Sequence, residues 1–187
     1  MGEAVVLLHG LGSSHRDWEA QIDALSRSHR VVALDLRGHG QSPSAALGVT
    51  MDDLAEDVAA ALAARYIGPS RVIGWSLGGL VATLLAAKHP ELVRSLVIVN
   101  SPPSCRPSGF RERFLWTQRR VLTRCLSPRA LGPFISKRLF PDADQDTLRR
   151  EFVERFAAND EQSYRAVFGA IERHDCRGVP ERSGALC

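Results

Sequence analysis

Several features that mark out protein classes are scarce in this chain. Only two of its 24 basic residues are lysines, Lys88 and Lys137, and the formal net charge is a modest +3. The arginines between Arg106 and Arg155 are interleaved with Glu112, Glu151, Glu154 and several aspartates. That segment reads as a solvated helical surface and gives little support to an anionic partner. The four cysteines, Cys105, Cys125, Cys176 and Cys187, form no C-x-x-C pair and share no metal-ligand spacing with histidine. They are read as reduced thiols, and no metal site is expected.

Long apolar runs are missing too. Near the N-terminus, Val5 to Leu8 is far too short for a signal sequence or a membrane span, and Val6 breaks the myristoylation pattern that opens with Met-Gly. The expectation is a cytoplasmic chain that contacts neither membrane nor nucleic acid. No internal repeat or low-complexity tract is present. What remains is ordinary for a folded domain: 187 residues, 44% hydrophobic and 24% charged, enough to build one core.

The hydrophobic pattern has two grammars. Up to Asn100, short apolar runs without alternation, Val5–Leu8, Val31–Leu36, Arg71–Gly74 and Ser95–Asn100, are separated by helical periodicity. Trp18, Ile22 and Leu25 share one face of a helix between Asp17 and Ser26. Thr50 and Asp53 have capping-box spacing at the start of a helix to about Ala64, and Leu77–Lys88 reads as another. Strands alternating with helices in this way predict an α/β fold, a mostly parallel sheet with helices on both faces. After a Pro/Ser stretch, Ser101–Gly109, the pattern is helical only, carried by Phe110 and Phe114, then Leu148, Phe152 and Phe156, then Tyr164, Phe168 and Ile171. Such a segment would lie over the carboxyl edge of the sheet, where open α/β sheets bind ligands.

Gly74-Trp75-Ser76-Leu77-Gly78 falls between a predicted strand and a predicted helix. A serine on so sharp a turn exposes its Oγ at the sheet edge, and glycines two residues to either side let strand and helix approach. The Leu77 N–H, at a helix N-terminus, would face a developing oxyanion, and Leu11 in His9-Gly10-Leu11-Gly12 would offer a second amide. Ser76 is thus the candidate nucleophile, Leu11 and Leu77 the candidate oxyanion and substrate-binding positions, and Trp75 a candidate pocket wall. A rival reading takes Gly10-Leu11-Gly12 as half of a dinucleotide fingerprint with Asp35 as the ribose-binding acid, but His15 stands where the third glycine belongs. His9 and His39 lie in glycine turns, where their rings are expected to hydrogen-bond the backbone.

The stretches VVLLHGLG, ALDLRGHGQS at residues 33–42, GWSLGGLVA and HPELVRSLVIVNSPP at residues 89–103 resemble the α/β-hydrolase family. They look most like pimeloyl-[acyl-carrier-protein] methyl ester esterases, oxoadipate enol-lactonases and other small carboxylesterases, over roughly residues 4–175. The resemblance implies a serine hydrolase acting through an acyl-enzyme on a small-molecule ester or acyl substrate, with no cofactor. It also implies a hydrolase core in residues 1–104, a helical cap in 105–175 and a tail, 176–187, without a recognisable element. The family's later Asp and His are not found. Only His89 and His174 follow Ser76; His89 reads as a helix C-cap, and His174 adjoins Asp175. The expectation is therefore an incomplete hydrolase fold, truncated at both ends. A catalytically deficient fragment or pseudoenzyme and a cofactor-free haloperoxidase or perhydrolase stand as alternatives. The pattern leaves the acyl group, the alcohol and the oligomeric state open.

Overall fold

The computed structural model describes residues 2–101 and 109–174. Most of the Pro/Ser stretch, with Cys105, and the segment from Asp175 through Cys187 lie outside the described residues. Four strands, β1 (Ala4–Leu8), β2 (Arg30–Leu34), β3 (Ser70–Trp75) and β4 (Val93–Val99), form one parallel sheet in the order β2-β1-β3-β4. The predicted strands are all present. The second ends at Leu34 instead of Leu36, because the Asp35 side chain accepts backbone N–H groups from the turns on either side.

Alternation along β1 distributes the core. Val5 and Leu7 pack with Trp18, Ile22 and Leu25 beneath α1 (Glu19–Leu25). Val6 and Leu8 face α2 (Met51–Ala64) and α3 (Leu77–Lys88) on the other side. Trp18 belongs to a short 3-10 turn, His15–Trp18, so α1 starts two residues after Asp17. The capping box at α2 is formed: Asp53 N–H donates to Thr50 Oγ1 at 3.1 Å, and Thr50 N–H to Asp53 Oδ2 at 2.8 Å.

The remainder is helical: α4 (Phe110–Cys125), α5 (Pro128–Leu139), α6 (Asp146–Ala157) and α7 (Glu161–Arg173). Leu131, Phe152, Phe156 and Tyr164 build a second cluster, with Phe156 stacked on Phe152 and edge-on to Tyr164. Val167 and Ile171 of α7 join the main core instead. The helices are fastened to the turns that follow β1 and β2. Asn159 Nδ2 donates to Gly12 O at 2.7 Å, and Ala45 N–H donates to the buried Ser163 Oγ at 3.0 Å. Leu11 packs against the Phe156 cluster. This part of the molecule therefore rests on the carboxyl edge of the sheet. No helix among the described residues is long and apolar enough to cross a membrane.

Candidate active site

The chain turns from β3 into α3 at one residue. Ser76 has φ 52° and ψ −113°, a left-handed φ that a side chain rarely adopts, and its N–H is fixed to Val99 O of β4 at 2.9 Å. The glycines show why the bend fits. A Cβ on Gly78 would lie 2.1 Å from Leu8 O, and one on Gly74 would lie 2.3 Å from Gly78 O. At Gly79 it would sit 2.6 Å from the Ser101 Cβ. The helix thus starts against the bare backbone of β1 and β3. Ser76 is half-buried, and its Oγ makes no hydrogen bond among the described residues. The Leu77 N–H opens α3, where helical amides have no partner within the helix.

The turn after β1 is organised by two buried histidines. His9 Nε2 accepts the Leu36 N–H at 2.9 Å, and His39 Nε2 accepts the Gly12 N–H at 3.0 Å. Since Nε2 is the acceptor in both rings, Nδ1 carries the proton, facing Gly10 O at 2.8 Å and Arg37 O at 3.1 Å. Burial lowers the pKa of His9 to about 4. Burial, followed by the neighbouring His9 ring, lowers that of His39 to about 3. Both are neutral structural links holding the loops after β1 and β2 in register. The amides of Leu11 and Leu77 have no acceptor among the described residues, whereas that of Gly12 is taken.

The hydrogen bonds of His9, His15, His29, His39 and His89 go to partners other than Ser76. His89 caps the far end of α3 through its N–H to Leu85 O and pairs with Glu56 and Glu91. At 1.5 Å per residue it lies about 20 Å from Ser76 along the helix. His174 terminates α7, its N–H on Ile171 O. His15 is clasped to Asp35, Nδ1 lying 2.9 Å and 3.0 Å from the two carboxylate oxygens. Burial works to raise the Asp35 pKa, but the Gln41 and His15 amides and the His15 ring outweigh it, and the net shift is downward.

Asp35 is therefore occupied, and the Phe156 ring covers Gly12, where a Cβ would lie 2.2 Å from the ring. That leaves no room for a pyrophosphate over the turn, which removes the dinucleotide alternative. The His15–Asp35 and Phe156–Gly12 contacts were not anticipated from the sequence, and no local pattern announces either. Trp75 lies against Gly10, with ring atoms 3.0 Å from where a Cβ would be, and packs with Val5, Leu7 and Trp18. Two open clefts, about 560 Å³ between the first turn and α6 and about 770 Å³ beside β2, include neither Ser76, Leu11, Leu77 nor Trp75 in their walls.

Sheet order, elbow and turn define a class, and comparison with known proteins agrees. Residues 3–168 match the model of the α/β hydrolase fold family, and the chain belongs to that family. It is 40% identical over 192 residues to a protein of Variovorax paradoxus (strain S110) provisionally named carbamate hydrolase RutD, across 99% of this chain and 70% of that protein. It is 35% identical over 144 residues to the pimeloyl-[acyl-carrier protein] methyl ester esterase of Aeromonas hydrophila subsp. hydrophila, across 70% of this chain and 55% of the esterase. The crystal structure of the enol-lactonase from Burkholderia xenovorans LB400 superposes with a TM-score of 0.85 at 27% identity, covering 96% of this chain and 68% of the lactonase. The chain thus spans between 55% and 70% of the length of these relatives.

Proposed function

We propose that the chain is a serine hydrolase acting on a small-molecule ester or related acyl bond, with Ser76 as nucleophile. The observation that carries this is the uncommitted Ser76 hydroxyl on a left-handed bend at the sheet edge, beside the first amide of α3. Ser76 Oγ attacks the carbonyl carbon, and the Leu11 and Leu77 N–H groups stabilise the oxyanion. The leaving alkoxide departs with a proton, and water cleaves the acyl-enzyme to release the acid. α4–α7 serve as a cap over the turn after β1, a role supported by the Asn159–Gly12 and Phe156–Gly12 contacts. Small-molecule esters are in keeping with the esterase and hydrolase names of the relatives.

A second reading is favoured by the histidines: His9 and His39 are committed to backbone, His15 to Asp35, and His89 is remote, so none of these four serves Ser76 as a base. On that reading these residues keep the binding geometry and catalyse feebly, at roughly the 10³ to 10⁴-fold over water that oxyanion donors and binding alone supply. Labelling with a fluorophosphonate, together with turnover of p-nitrophenyl acetate and butyrate, tests the proposal. Modification should fall on Ser76, and Ser76→Ala should abolish both labelling and turnover. Turnover left unchanged by Ser76→Ala would overturn the assignment.

A further inference from the structure

Two amides are assigned to the oxyanion, and the fold backs them differently. The Leu77 N–H belongs to the Ser76–Leu77 peptide, whose carbonyl accepts the Gly79 and Leu80 N–H groups at 3.0 and 3.3 Å as the first turn of α3 closes. A helix stands behind that donor. The Leu11 N–H lies instead in a turn between two glycines, the second at φ 75°, so hydrogen bonds have to fix its direction.

Those bonds run through two peptide groups. Gly10 O and the Leu11 N–H share one planar trans peptide and point in opposite directions. Gly10 O accepts the Ser13 N–H at 3.2 Å and faces His9 Nδ1 at 2.8 Å, so the Leu11 N–H points away from both. The Ser13 N–H in turn shares a peptide with Gly12 O, which accepts Asn159 Nδ2 at 2.7 Å. The result is one continuous series. Asn159 donates to Gly12 O, Ser13 N–H donates to Gly10 O, and the Leu11 N–H is the next donor in line, with no acceptor among the described residues. Each bond in such a series polarises the next, so donation by Asn159 strengthens the Leu11 donor as well as holding its direction. The Asn159 side chain is itself held at the end of α6, donating to Phe156 O at 2.9 Å. Arg155, one turn earlier, joins α6 to the neighbouring Arg16 O at 3.2 Å and Asp17 at 3.3 Å without entering the series.

We propose that Asn159 is a positioning residue for the reaction at Ser76: through the Gly12–Ser13 and Gly10–Leu11 peptides it aims and strengthens the Leu11 amide, so that oxyanion stabilisation depends on where α6 sits. This rests on the reading of Ser76 as nucleophile and Leu11 as oxyanion donor.

Hydrolysis of p-nitrophenyl butyrate and the rate of Ser76 phosphonylation by a fluorophosphonate test it, on the full chain and under conditions where urea midpoints show every variant folded. Removing an oxyanion donor outright costs about 10² to 10³ in kcat, so a donor that stays but loses its backing should cost about tenfold. Asn159→Ala should lower both kcat and the phosphonylation rate by about that factor, with KM within about twofold of wild type, the mark of an interaction made in the transition state. Asn159→Asp, which fills the same volume but sets a carboxylate against Gly12 O, should do the same and takes the place of the alanine variant if that fails to fold. Arg155→Gln loosens α6 from the same stretch and should leave kcat unchanged. A merely structural Asn159 would lower the urea midpoint without moving kcat. Unchanged kcat in the Asn159 variants, a change confined to KM, or an equal loss in Arg155→Gln overturns the proposal and leaves Ser76 in its role. A wild-type chain whose Ser76 the fluorophosphonate does not modify overturns the underlying reading, and the proposal with it.

Discussion

Two kinds of turn meet at the carboxyl edge of this sheet, and they treat their polar side chains in opposite ways. In the turns after β1 and β2, both nitrogens of His9 and of His39 have backbone partners, and the rings are buried, neutral and fixed in tautomer. In the turn after β3, the backbone is forced to φ 52° and the Ser76 hydroxyl has no hydrogen-bond partner among the described residues. The more reactive residue type, histidine, does structural work, while the less reactive serine stands free. Chemistry follows availability: a group whose hydrogen-bonding capacity is filled by the fold has none left for a substrate.

The sharpest way to break this contrast is acid. Protonating either ring would put an N–H where Nε2 now accepts the Leu36 or Gly12 amide, donor against donor. The folded pKa values are about 4 for His9 and about 3 for His39, both below the ordinary 6.5. The unfolded chain therefore takes up protons first. The contribution of each histidine to stability is whole above pH 6.5 and is lost as pH falls toward 4 and 3. His9 is worth roughly 3 kcal/mol and His39 roughly 5 kcal/mol, so together they approach the whole stability of an ordinary domain. Urea unfolding between pH 6 and pH 5 should show a slope approaching two protons, about 2.7 kcal/mol per pH unit, and His39→Gln should halve it. A flat profile would mean that the rings are not held as described.

A smaller effect probes the elbow from the side of packing. A Cβ on Gly78 meets Leu8 O, Leu8 C and His9 O at 2.1, 2.5 and 2.8 Å, all of them backbone of β1 or its exit. These atoms cannot yield without disturbing the pairing of β1 with β3. Gly78→Ala is expected to lower stability by about 3 kcal/mol, whereas Gly68→Ala, with nothing within 4 Å, should change it by less than about 0.5 kcal/mol. Urea midpoints of the two variants decide it, and similar values would show that the elbow is looser than its contacts imply.

The same division separates what the sequence revealed from what it concealed. Strands, the elbow, the capping box at Thr50 and the backbone-bound histidines were readable because their causes are local: apolar runs, glycine spacing, a hydroxyl three residues from its acid. Even the strand that ended early did so for a reason from elsewhere, since Asp35 is held by His15, 20 residues away. The fastening of the helices to the first turn was not readable at all. Asn159 reaches Gly12 across 147 positions, and Phe156 covers the same glycine. Helical periodicity pointed to α4, α6 and α7 but named nothing in α5, and it could not say that Phe152 and Phe156 face the Leu11 turn while Val167 and Ile171 join the main core. Pairings between distant segments leave no period in the sequence.

The smallest expected effect isolates the strain at Ser76 from its chemistry. Alanine and glycine both remove the hydroxyl, so on the proposed role both abolish turnover. Only glycine also relieves the left-handed φ, whose cost for a side-chain-bearing residue is of order 1–3 kcal/mol. Against this, glycine adds about 0.5–1 kcal/mol of unfolded-state entropy. Ser76→Gly should therefore unfold at higher urea than Ser76→Ala, by the equivalent of about 1 kcal/mol. A protein that is more stable without its serine would show a bend kept for function at the expense of the fold. If the two variants unfold together, the elbow stores no strain, and the difference between its turn and the histidine turns reduces to one free hydroxyl.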